Sequence, residues 1–594
     1  MVRVSTAFVL SGCLCLAGLA CTQPESSPPG SGGAAGGGGS SKSGGASGNG
    51  GKGGSNNGGN GGHGGTTGGG GTSGSGGSSA SGGSSASGGN GGRGGSAGGG
   101  SGGSNGGAPA HGGTTSSGGK GGGGGSAGSG GTGGSAGSTG GGGGSGGGAG
   151  VAGAGASSGS GSSSGGGGVG SCAFTQQGSP SPNIKTVGII KWSTTQSGVT
   201  SAHIDFGLDT SYGMTAPVDS PVTGENTTLL LGMKQSKTYH YRITATGSSG
   251  DCTSSDYSIQ TGTLASGLPK ITVTTPKQSA LFGGFLITGQ YLQSGGASPS
   301  YILDADGDMV WAYSVSNNVT GAVMDYAGTH IWINSANVPS GVTSVHHVTM
   351  DGQKDEDLSS KFTGLNHQLT VLPDETVAFY AYNNTTGCDD IKEYSPSGTV
   401  KTIVNSKAAE GTNPTACHVN NVQYSKDDDT LVFSDLDNQV VVKVKRSDGS
   451  TVWVLNGTKP TITGDSWKGG EHGLQVLALD HFMVFNNNSR MVAGGMGSAG
   501  GDGTGSIAIE LKLDLTAKKA TKAWTYKSSD GIQNDVMGDL QRLSNGNTVV
   551  AYSTQGVLHE VDASGTLLQT LEWPLGASFG YIQKRATLYG PPPR

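Results

Sequence analysis

Residues 441–457 read VVKVKRSDGSTVWVLNG, and this stretch is the clearest indication of the fold. An Asp-Gly turn lies between two runs of alternating apolar residues, which is the local pattern of a β-hairpin. Three other stretches repeat it: SYILDADGDMVWAY (300–313), IKEYSPSGTVKTIV (391–404) and LHEVDASGTLLQTLEWP (558–574). Weaker copies are VHHVTMDGQKD (345–355) and IAIELKLDLTAKKATKAWTY (507–526). The region after residue 269 therefore holds six predicted hairpins, spaced roughly 45–65 residues apart.

This repetition predicts an all-β protein in which residues 269–590 form a β-propeller. No part of the region carries a 3.6-residue period long enough for the helices of a parallel-sheet fold. Repeats of one β unit stack around a ring, and six four-stranded blades fit the number and spacing of the hairpins. Five or seven blades also fit the pattern, because the first two repeats are the least regular.

A second repeated phrase places a histidine at the head of three segments. These are NHQLTVLPDETVAFYAY (366–382), CHVNNVQYSKDDDTLVFSD (417–435) and EHGLQVLALDHFMVFNNNSR (471–490). A fourth, GDLQRLSNGNTVVAYS (538–553), has Asp539 in the same slot. Each segment opens a blade that the hairpin phrase closes, and the opening strands of a propeller line its channel. We therefore expect His367, His418 and His472 to converge near the channel mouth.

Three histidines in one register indicate a functional pocket more strongly than any isolated histidine does. Single histidines in β runs, such as His346, His481 and His559, are expected to be structural. Three histidines can also hold zinc with one open position. No carboxylate or His-x-His pair accompanies them, so the sequence predicts no metal ligands.

The first 171 residues are predicted to direct export and then to act as a tether. Residues 1–20 have the apolar run of a signal peptide, which is short for a membrane span. The run ends in GLAC at Cys21, similar to a bacterial lipoprotein signal in which that cysteine is acylated; an ordinary secreted protein cleaved near Ala20 is the alternative. Residues 21–171 hold most of the 123 glycines and cannot bury enough apolar surface to offset the entropy of ordering. The expected location is therefore the cell envelope, periplasmic or on the outer surface, with lipid as the only membrane contact.

Residues 172–264 show short strand patterns separated by turns and are predicted to form a β-sandwich. The segment LLLGMKQSKTYHYRITA (229–245) resembles the late strands of fibronectin type III-like domains. Tyr239 and Tyr241 carry this resemblance. Nothing in the segment indicates catalysis, so we expect a spacer or docking domain.

Cysteine usage fits an exported chain. Of seven cysteines, two lie in the predicted signal and Cys21 is the predicted lipid site. The remaining four allow three pairings, and the simplest are the local ones, Cys172–Cys252 and Cys388–Cys417. The net charge is −6 and the basic residues are scattered, which argues against a nucleic-acid partner.

The region 270–580 resembles the bacterial arylsulfotransferases that work without the nucleotide sulfate donor PAPS. The resemblance lies in HVNNVQYSKDDDTLVFS, in HGLQVLALDHFMVFNNNSR and in NHQLTVLPDETVAFYAY. It implies a six-bladed propeller, a phenolic sulfate donor, a phenol acceptor and no cofactor. It implies that His472 is the nucleophile and forms a sulfohistidine. It further implies that His418 and Asn420 bind the sulfuryl oxygens and that His367 protonates the departing phenolate.

The sequence departs from the family pattern at two places. Leu436 stands where the family has an arginine, and residues 486–488 read NNN in place of Asp-Asn-Gly. Arg490 is the candidate for supplying the missing charge to substrate. The chain is thus predicted to be a divergent sulfotransferase. The alternative is a non-catalytic cell-surface propeller that binds a ligand or a protein, because a propeller fold does not fix function.

Overall fold

The structure is a computed structural model. It describes residues 172–591 except 219, 223, 275–277, 292–296, 338–341, 415 and 492–498. The predicted signal peptide (1–20), the lipid site Cys21 and the linker (21–171) lie outside the described residues. The prediction of an all-β protein is confirmed. Helix in the described ranges is limited to α1 (Ser406–Glu410) and three-residue 3-10 turns at Gln278–Ala280, Ser359–Lys361 and Ser553–Gln555.

The first eight strands form two antiparallel sheets. The strands are β1 (Phe174–Pro180), β2 (Gly188–Thr194), β3 (Val199–Gly207), β4 (Met214–Val218), β5 (Asn226–Leu230), β6 (Thr238–Gly247), β7 (Gly250–Thr253) and β8 (Tyr257–Gln260). One sheet has the order β1-β2-β5; the other has the order β4-β3-β6-β7, with β8 also on β6. Alternate residues such as Ile190, Trp192, Tyr239 and Tyr241 fill the core between them. Cys172 and Cys252 form a disulfide here.

The remaining strands belong to the propeller, and their bounds follow the predicted repeats. They are β9 (Thr272–Thr274), β10 (Phe285–Tyr291), β11 (Ser298–Leu303), β12 (Met309–Val315), β13 (Asn318–Met324), β14 (His330–Asn337), β15 (Val342–Thr349), β16 (Asp355–Asp357), β17 (Leu365–Val371), β18 (Val377–Asn383), β19 (Cys388–Tyr394), β20 (Val400–Asn405), β21 (Val419–Ser425), β22 (Thr430–Asp435), β23 (Val440–Lys445), β24 (Thr451–Asn456), β25 (Thr463–Gly464), β26 (Glu471–Ala478), β27 (His481–Asn486), β28 (Ile507–Asp514), β29 (Lys519–Lys527), β30 (Asp539–Arg542), β31 (Thr548–Tyr552), β32 (Val557–Val561), β33 (Leu567–Glu572), β34 (Ser578–Phe579) and β35 (Gln583–Arg585).

These strands make six sheets in the described part of the chain. Each of the six predicted hairpins is present as two paired antiparallel strands, for example β23–β24 and β32–β33. Sheets one to six are built on β10–β12, β13–β16, β17–β20, β21–β24, β26–β29 and β30–β33. Strands from each end of this region pair with the sheet at its other end. N-terminal β9 pairs with β33 of the sixth sheet, and C-terminal β34 and β35 pair with β10 of the first.

The hydrophobic core lies between successive sheets. Six buried clusters each combine side chains of two neighbouring sheets, and one of them joins the sixth sheet to the first. Val442 and Phe433, for example, pack with Tyr380 of the preceding sheet. Because each sheet buries both faces, strands such as β22 and β23 are buried along nearly their whole length. Among the described residues no helix is long and apolar enough to cross a membrane.

Candidate active site

The structure brings His367, His418 and His472 together. The ring centroid of His367 lies 5.2 Å from that of His418 and 5.9 Å from that of His472. The three residues lie at the starts of β17, β21 and β26, the first strands of three consecutive sheets. Their common place in the repeat therefore brings the three rings into one cluster, which we call the pocket.

The strand pairing is irregular at the head of each of these strands, as it is at a β-bulge. The pairing register shifts between Leu365 and Leu369 in β17, between Val419 and Asn421 in β21, and between Glu471 and Leu474 in β26. Bulges bend a strand and redirect side chains next to functional sites. At His367 the backbone has φ +40°, in the left-handed region that non-glycine residues seldom occupy. The backbone at His367 is thus strained.

His472 is the most deeply buried of the three histidines. Its side chain is 2% exposed, and its Nδ1 lies 2.7 Å from Oδ1 of Asn487. Burial is the main cause that lowers the pKa of His472, the nearby His418 adds to it, and the hydrogen bond to Asn487 acts against both. The resulting pKa is about 3, so the imidazole is neutral at pH 7. Gly473 allows this depth, because a Cβ there would lie 2.6 Å from the Asp539 carboxylate on β30.

His418 is held through its backbone on both sides. Its N–H donates to Oδ1 of Asp435 at 3.2 Å, and its carbonyl accepts from the N–H of Leu436 at 2.9 Å. The preceding residue, Cys417, forms a disulfide with Cys388. Asp389 accepts the next N–H, that of Val419, at 3.0 Å. The β19 strand therefore fixes the position of His418 covalently and by hydrogen bonding.

His367 is half-buried and lies closest to the solvent side of the three. Its Nδ1 is buried and has no hydrogen-bond partner among the described residues. Burial and the two other histidines lower its pKa well below the usual range. The ring of Tyr581 stands edge-on to it, with centroids 6.4 Å apart. Tyr581 comes from the C-terminal segment between β34 and β35, and no sequence pattern identified it as a neighbour of the histidines.

Asn420 links the second and third histidine segments. Its Nδ2 donates to the carbonyl of Glu471 at 2.7 Å, directly before His472. Its own carbonyl accepts from the hydroxyls of Tyr380 at 2.6 Å and Tyr581 at 3.1 Å. Its Oδ1 is buried without a partner among the described residues. Among the described residues, one amide N–H and the Oδ1 acceptor of Asn420 therefore have no hydrogen-bond partner.

Leu436, which stands where the family has an arginine, lies against the pocket. Leu436 is buried between the backbone of His418 and Gly470, where a Cβ added to the glycine would lie 3.2 Å from the leucine side chain. Arg490, the predicted substitute, is exposed and donates from Nε to the Asp502 carbonyl at 2.7 Å. Its substrate role stays a prediction.

Four buried carboxyl groups lie behind His418. They are Asp389, Glu410, Asp435 and Glu471, and each has one oxygen without a hydrogen-bond partner among the described residues. Burial raises the pKa of Asp389 to about 7 and raises the pKa of Glu471 well above its usual range. Burial also raises the pKa of Glu410, and the adjacent Asp435 carboxyl raises it further. We infer that Glu410 and Asp435 share a proton near neutral pH.

This shared proton predicts a pH-dependent stability. The unfolded chain releases the Glu410 proton near pH 4.5, whereas the folded chain holds it to higher pH, so rising pH costs folding free energy. Buried histidines give the opposite trend below pH 6.5, so the informative quantity is the difference between variants above that pH. Between pH 6 and pH 8.5, the free energy of unfolding of Glu410→Gln is expected to rise by about 1–2 kcal/mol relative to that of wild type. Chemical denaturation measures it.

The control for this prediction is Asp427→Asn in the exposed turn between β21 and β22. Its stability should follow that of wild type across the same range. A Glu410→Gln profile parallel to wild type above pH 6.5 would show that the two carboxyls do not share a proton.

The positions of possible metal ligands are also defined by the structure. The described ranges contain three sets of residues whose possible metal-ligand atoms lie within 4.8 Å of one another inside each set. The sets are Asp325, His330 and His347; Glu410, Cys417 and Asp435; and Asp304, Asp306 and Asp308. The three pocket histidines are not such a group. In the second group the Cys417 sulfur is committed to a disulfide, and in the third the Lys234 ammonium lies within 3.1 Å of all three carboxylates.

Residues 404–575 match the family model described as Arylsulfotransferase (ASST). The resemblance to this family is confirmed over that range, which contains His418, Asn420, His472 and Arg490 but not His367. The match supports a sulfotransferase at family level. No curated protein matches the chain.

Solved structures of low similarity cover about half of the chain. A protein of unknown function from Bacteroides caccae is 13% identical, covers 50% of this chain and 98% of its own, and has a TM-score of 0.35. The periplasmic gluconolactonase of Pseudomonas aeruginosa is 14% identical, with coverages of 51% and 98% and a TM-score of 0.33. Streptogramin B lyase is 10% identical, with coverages of 53% and 98% and a TM-score of 0.31. At these values they carry no information about function.

Proposed function

We propose that this protein transfers a sulfuryl group from an aryl sulfate ester to a phenol through a sulfohistidine at His472. The observation that carries the proposal is the pocket of three histidines, two of which lie in the stretch that matches the arylsulfotransferase model. The nucleophile lies deepest and the half-buried His367 lies toward solvent, so the sulfate end of a substrate enters first.

The first half-reaction forms a bond between Nε2 of His472 and sulfur and breaks the bond between sulfur and the aryl oxygen. A neutral imidazole is a competent nucleophile, and the pKa of about 3 keeps His472 neutral at working pH. A phenolate leaves, and His367 is the residue placed to protonate it. In the second half-reaction the acceptor phenol attacks sulfur, the N–S bond breaks, and the acceptor loses its proton to His367, which is restored to its protonated form.

His418 and the free amide N–H of Asn420 are the proposed contacts to the sulfuryl oxygens, with Arg490 as a further candidate. Leu436 supplies no charge there. An anionic ester instead favours the protonated forms of His367 and His418, because a nearby negative charge raises the pKa of an imidazole. The pocket thus acquires its positive charge when the substrate binds.

This charging predicts that donor binding takes up a proton. Affinity for the aryl sulfate should weaken as pH rises from the pKa of the free histidines, which for His367 lies well below its usual range, to their higher pKa in the complex, by up to about tenfold per pH unit for each proton taken up. Calorimetry of a phenyl sulfate binding to His472→Gln, in buffers of different ionisation enthalpy, measures the uptake without turnover. An uncharged phenol is the control and should bind without proton uptake. Zero uptake with the sulfate ester would show that the histidines stay neutral and that another group neutralises the donor.

The test of the function is release of nitrophenolate from 4-nitrophenyl sulfate with and without added phenol. Release that requires phenol is expected, with parallel double-reciprocal plots for donor and acceptor. Release without phenol would indicate a hydrolase. No release by a folded protein would favour the alternative of a non-catalytic binding propeller.

The finer architecture is part of the same proposal. We propose that the six sheets are the blades of a closed six-bladed propeller, supported by the core cluster between the sixth and first sheets. We propose that residues 172–264 are a fibronectin type III-like domain, supported by the Tyr239 hydroxyl, which accepts the Lys234 N–H at 2.8 Å.

We also propose export and lipid anchoring through Cys21. Radiolabelled palmitate should label wild type and not Cys21→Ser.

A further inference from the structure

The hydrogen bond between His472 and Asn487 determines which nitrogen of the imidazole carries the proton. Asn487 follows β27 and is completely buried. Its Oδ1 lies 2.7 Å from Nδ1 of His472. A neutral imidazole can donate or accept at Nδ1, so the question is which role Asn487 allows.

The orientation of the Asn487 amide is set by two backbone carbonyls. Its Nδ2 donates to the carbonyl oxygens of Asn534 at 2.7 Å and Met537 at 2.9 Å. Both amide hydrogens are therefore used. The flipped amide would place Oδ1 against two carbonyl oxygens in a buried site, where unpaired acceptors are costly. Oδ1 must face His472, and since Oδ1 can only accept, Nδ1 of His472 must donate.

The loop that supplies these carbonyls is itself fixed. The Asn534 N–H donates to Oγ of Ser506 at 2.9 Å, and Oγ of Ser506 donates to the carbonyl of Asn487 at 3.0 Å. The side chain of Asn534 also donates to the carbonyl of Met537 at 2.9 Å. Asn487 thus sits in a closed network that leaves its amide no second orientation.

We propose that Asn487 is a positioning residue that holds the proton of His472 on Nδ1 and so keeps the lone pair on Nε2. The inference rests on the proposed function in that Nε2 is the attacking atom. Asn487 was noted in the sequence only as part of the NNN string. Its effect on His472 depends on the carbonyls of a distant loop.

The amide also decides the character of the intermediate. When the N–S bond forms at Nε2, the ring becomes an N-sulfo imidazolium that still bears its Nδ1 proton. The Asn487 amide oxygen accepts the hydrogen bond from Nδ1–H, which stabilises the positive charge, and it cannot take the proton. In the second step the acceptor oxygen bonds to sulfur, the N–S bond breaks, and neutral imidazole leaves with Nδ1–H already in place. Asn487 therefore keeps His472 a good leaving group.

The direct test is the side-chain ¹⁵N spectrum of the full chain labelled on histidine, with the His472 signals identified by their loss in His472→Gln. At pH 7 the wild type is expected to show Nδ1 protonated and Nε2 unprotonated. Nε2–H in wild type would overturn the inference, even in an active enzyme. Nδ1–H in a protein without turnover would instead refute the proposed function and leave the proton assignment standing.

The variant that tests the role of Asn487 is Asn487→Ala. Without the amide acceptor the proton of His472 is no longer held on Nδ1, so a detectable population with Nε2–H is expected. The variant should also lower kcat on the order of a hundredfold while donor KM changes little. Asn488→Gly is the matched control. That neighbouring side chain also bonds to a loop but not to His472, and its φ of +53° suits glycine. It should retain the wild-type tautomer and turnover within a few-fold. An Asn487→Ala protein in which His472 keeps only Nδ1–H would show that Asn487 does not determine the tautomer.

Discussion

Replacing His472 with alanine is expected to lower kcat for aryl sulfate turnover by at least about 10⁴-fold, since this removes the proposed nucleophile. His472 is the deepest of the three pocket histidines and the only one whose Nδ1 is bound to Asn487. Because it is buried, the alanine variant also loses packing. His472→Gln, which can keep the contact to Asn487, should be equally inactive. Nitrophenolate release and thermal unfolding of both variants separate lost chemistry from lost fold.

The matched control is His481→Ala. His481 lies at the other end of the same strand pair and is 2.8 Å from the Glu510 carboxylate. Its loss should change kcat by no more than a few-fold, as for other sites away from the reacting atoms. Turnover of His472→Ala within tenfold of wild type would show that sulfur is not transferred through this residue.

Replacing His367 with alanine is expected to have an effect that depends on the leaving group. 4-Nitrophenolate departs without protonation, so this substrate should lose only about tenfold in kcat, whereas phenyl sulfate should lose about 10²–10³-fold. The reason is that His367 is the half-buried histidine on the solvent side, with an Nδ1 that has no partner among the described residues. Initial rates for a series of ring-substituted phenyl sulfates measure the dependence on leaving-group pKa.

Equal losses across the series would assign His367 a role in binding the sulfuryl group. Gln368→Ala is the control for disturbance of the bulge, since its side chain accepts from Asn421 on the next sheet. Its effect should not vary with the leaving group.

The parts of the structure that the sequence predicts are those with local causes. Each hairpin follows from a turn such as Asp448-Gly449 between alternating apolar residues. The convergence of His367, His418 and His472 follows from repetition, because equal positions in a repeat occupy equal places in a ring.

What could not be predicted depends on contacts between distant segments. Tyr581 reaches His367 only because the C-terminal strands pair with β10. The orientation of Asn487 depends on the carbonyls of residues 534 and 537, and the carboxyl cluster forms only when α1, β19, β22 and β26 meet. Leu436 was visible as a departure from the family pattern. Its burial between His418 and Gly470 required the folded chain.

The most direct measurement is the mass of the peptide containing His472 after brief exposure to 4-nitrophenyl sulfate without acceptor. A gain of about 80 Da, the mass of SO₃, is expected on His472 and should be lost when phenol is added. Turnover that proceeds with no adduct on His472, or with the adduct on another residue, would contradict transfer through a sulfohistidine at this site.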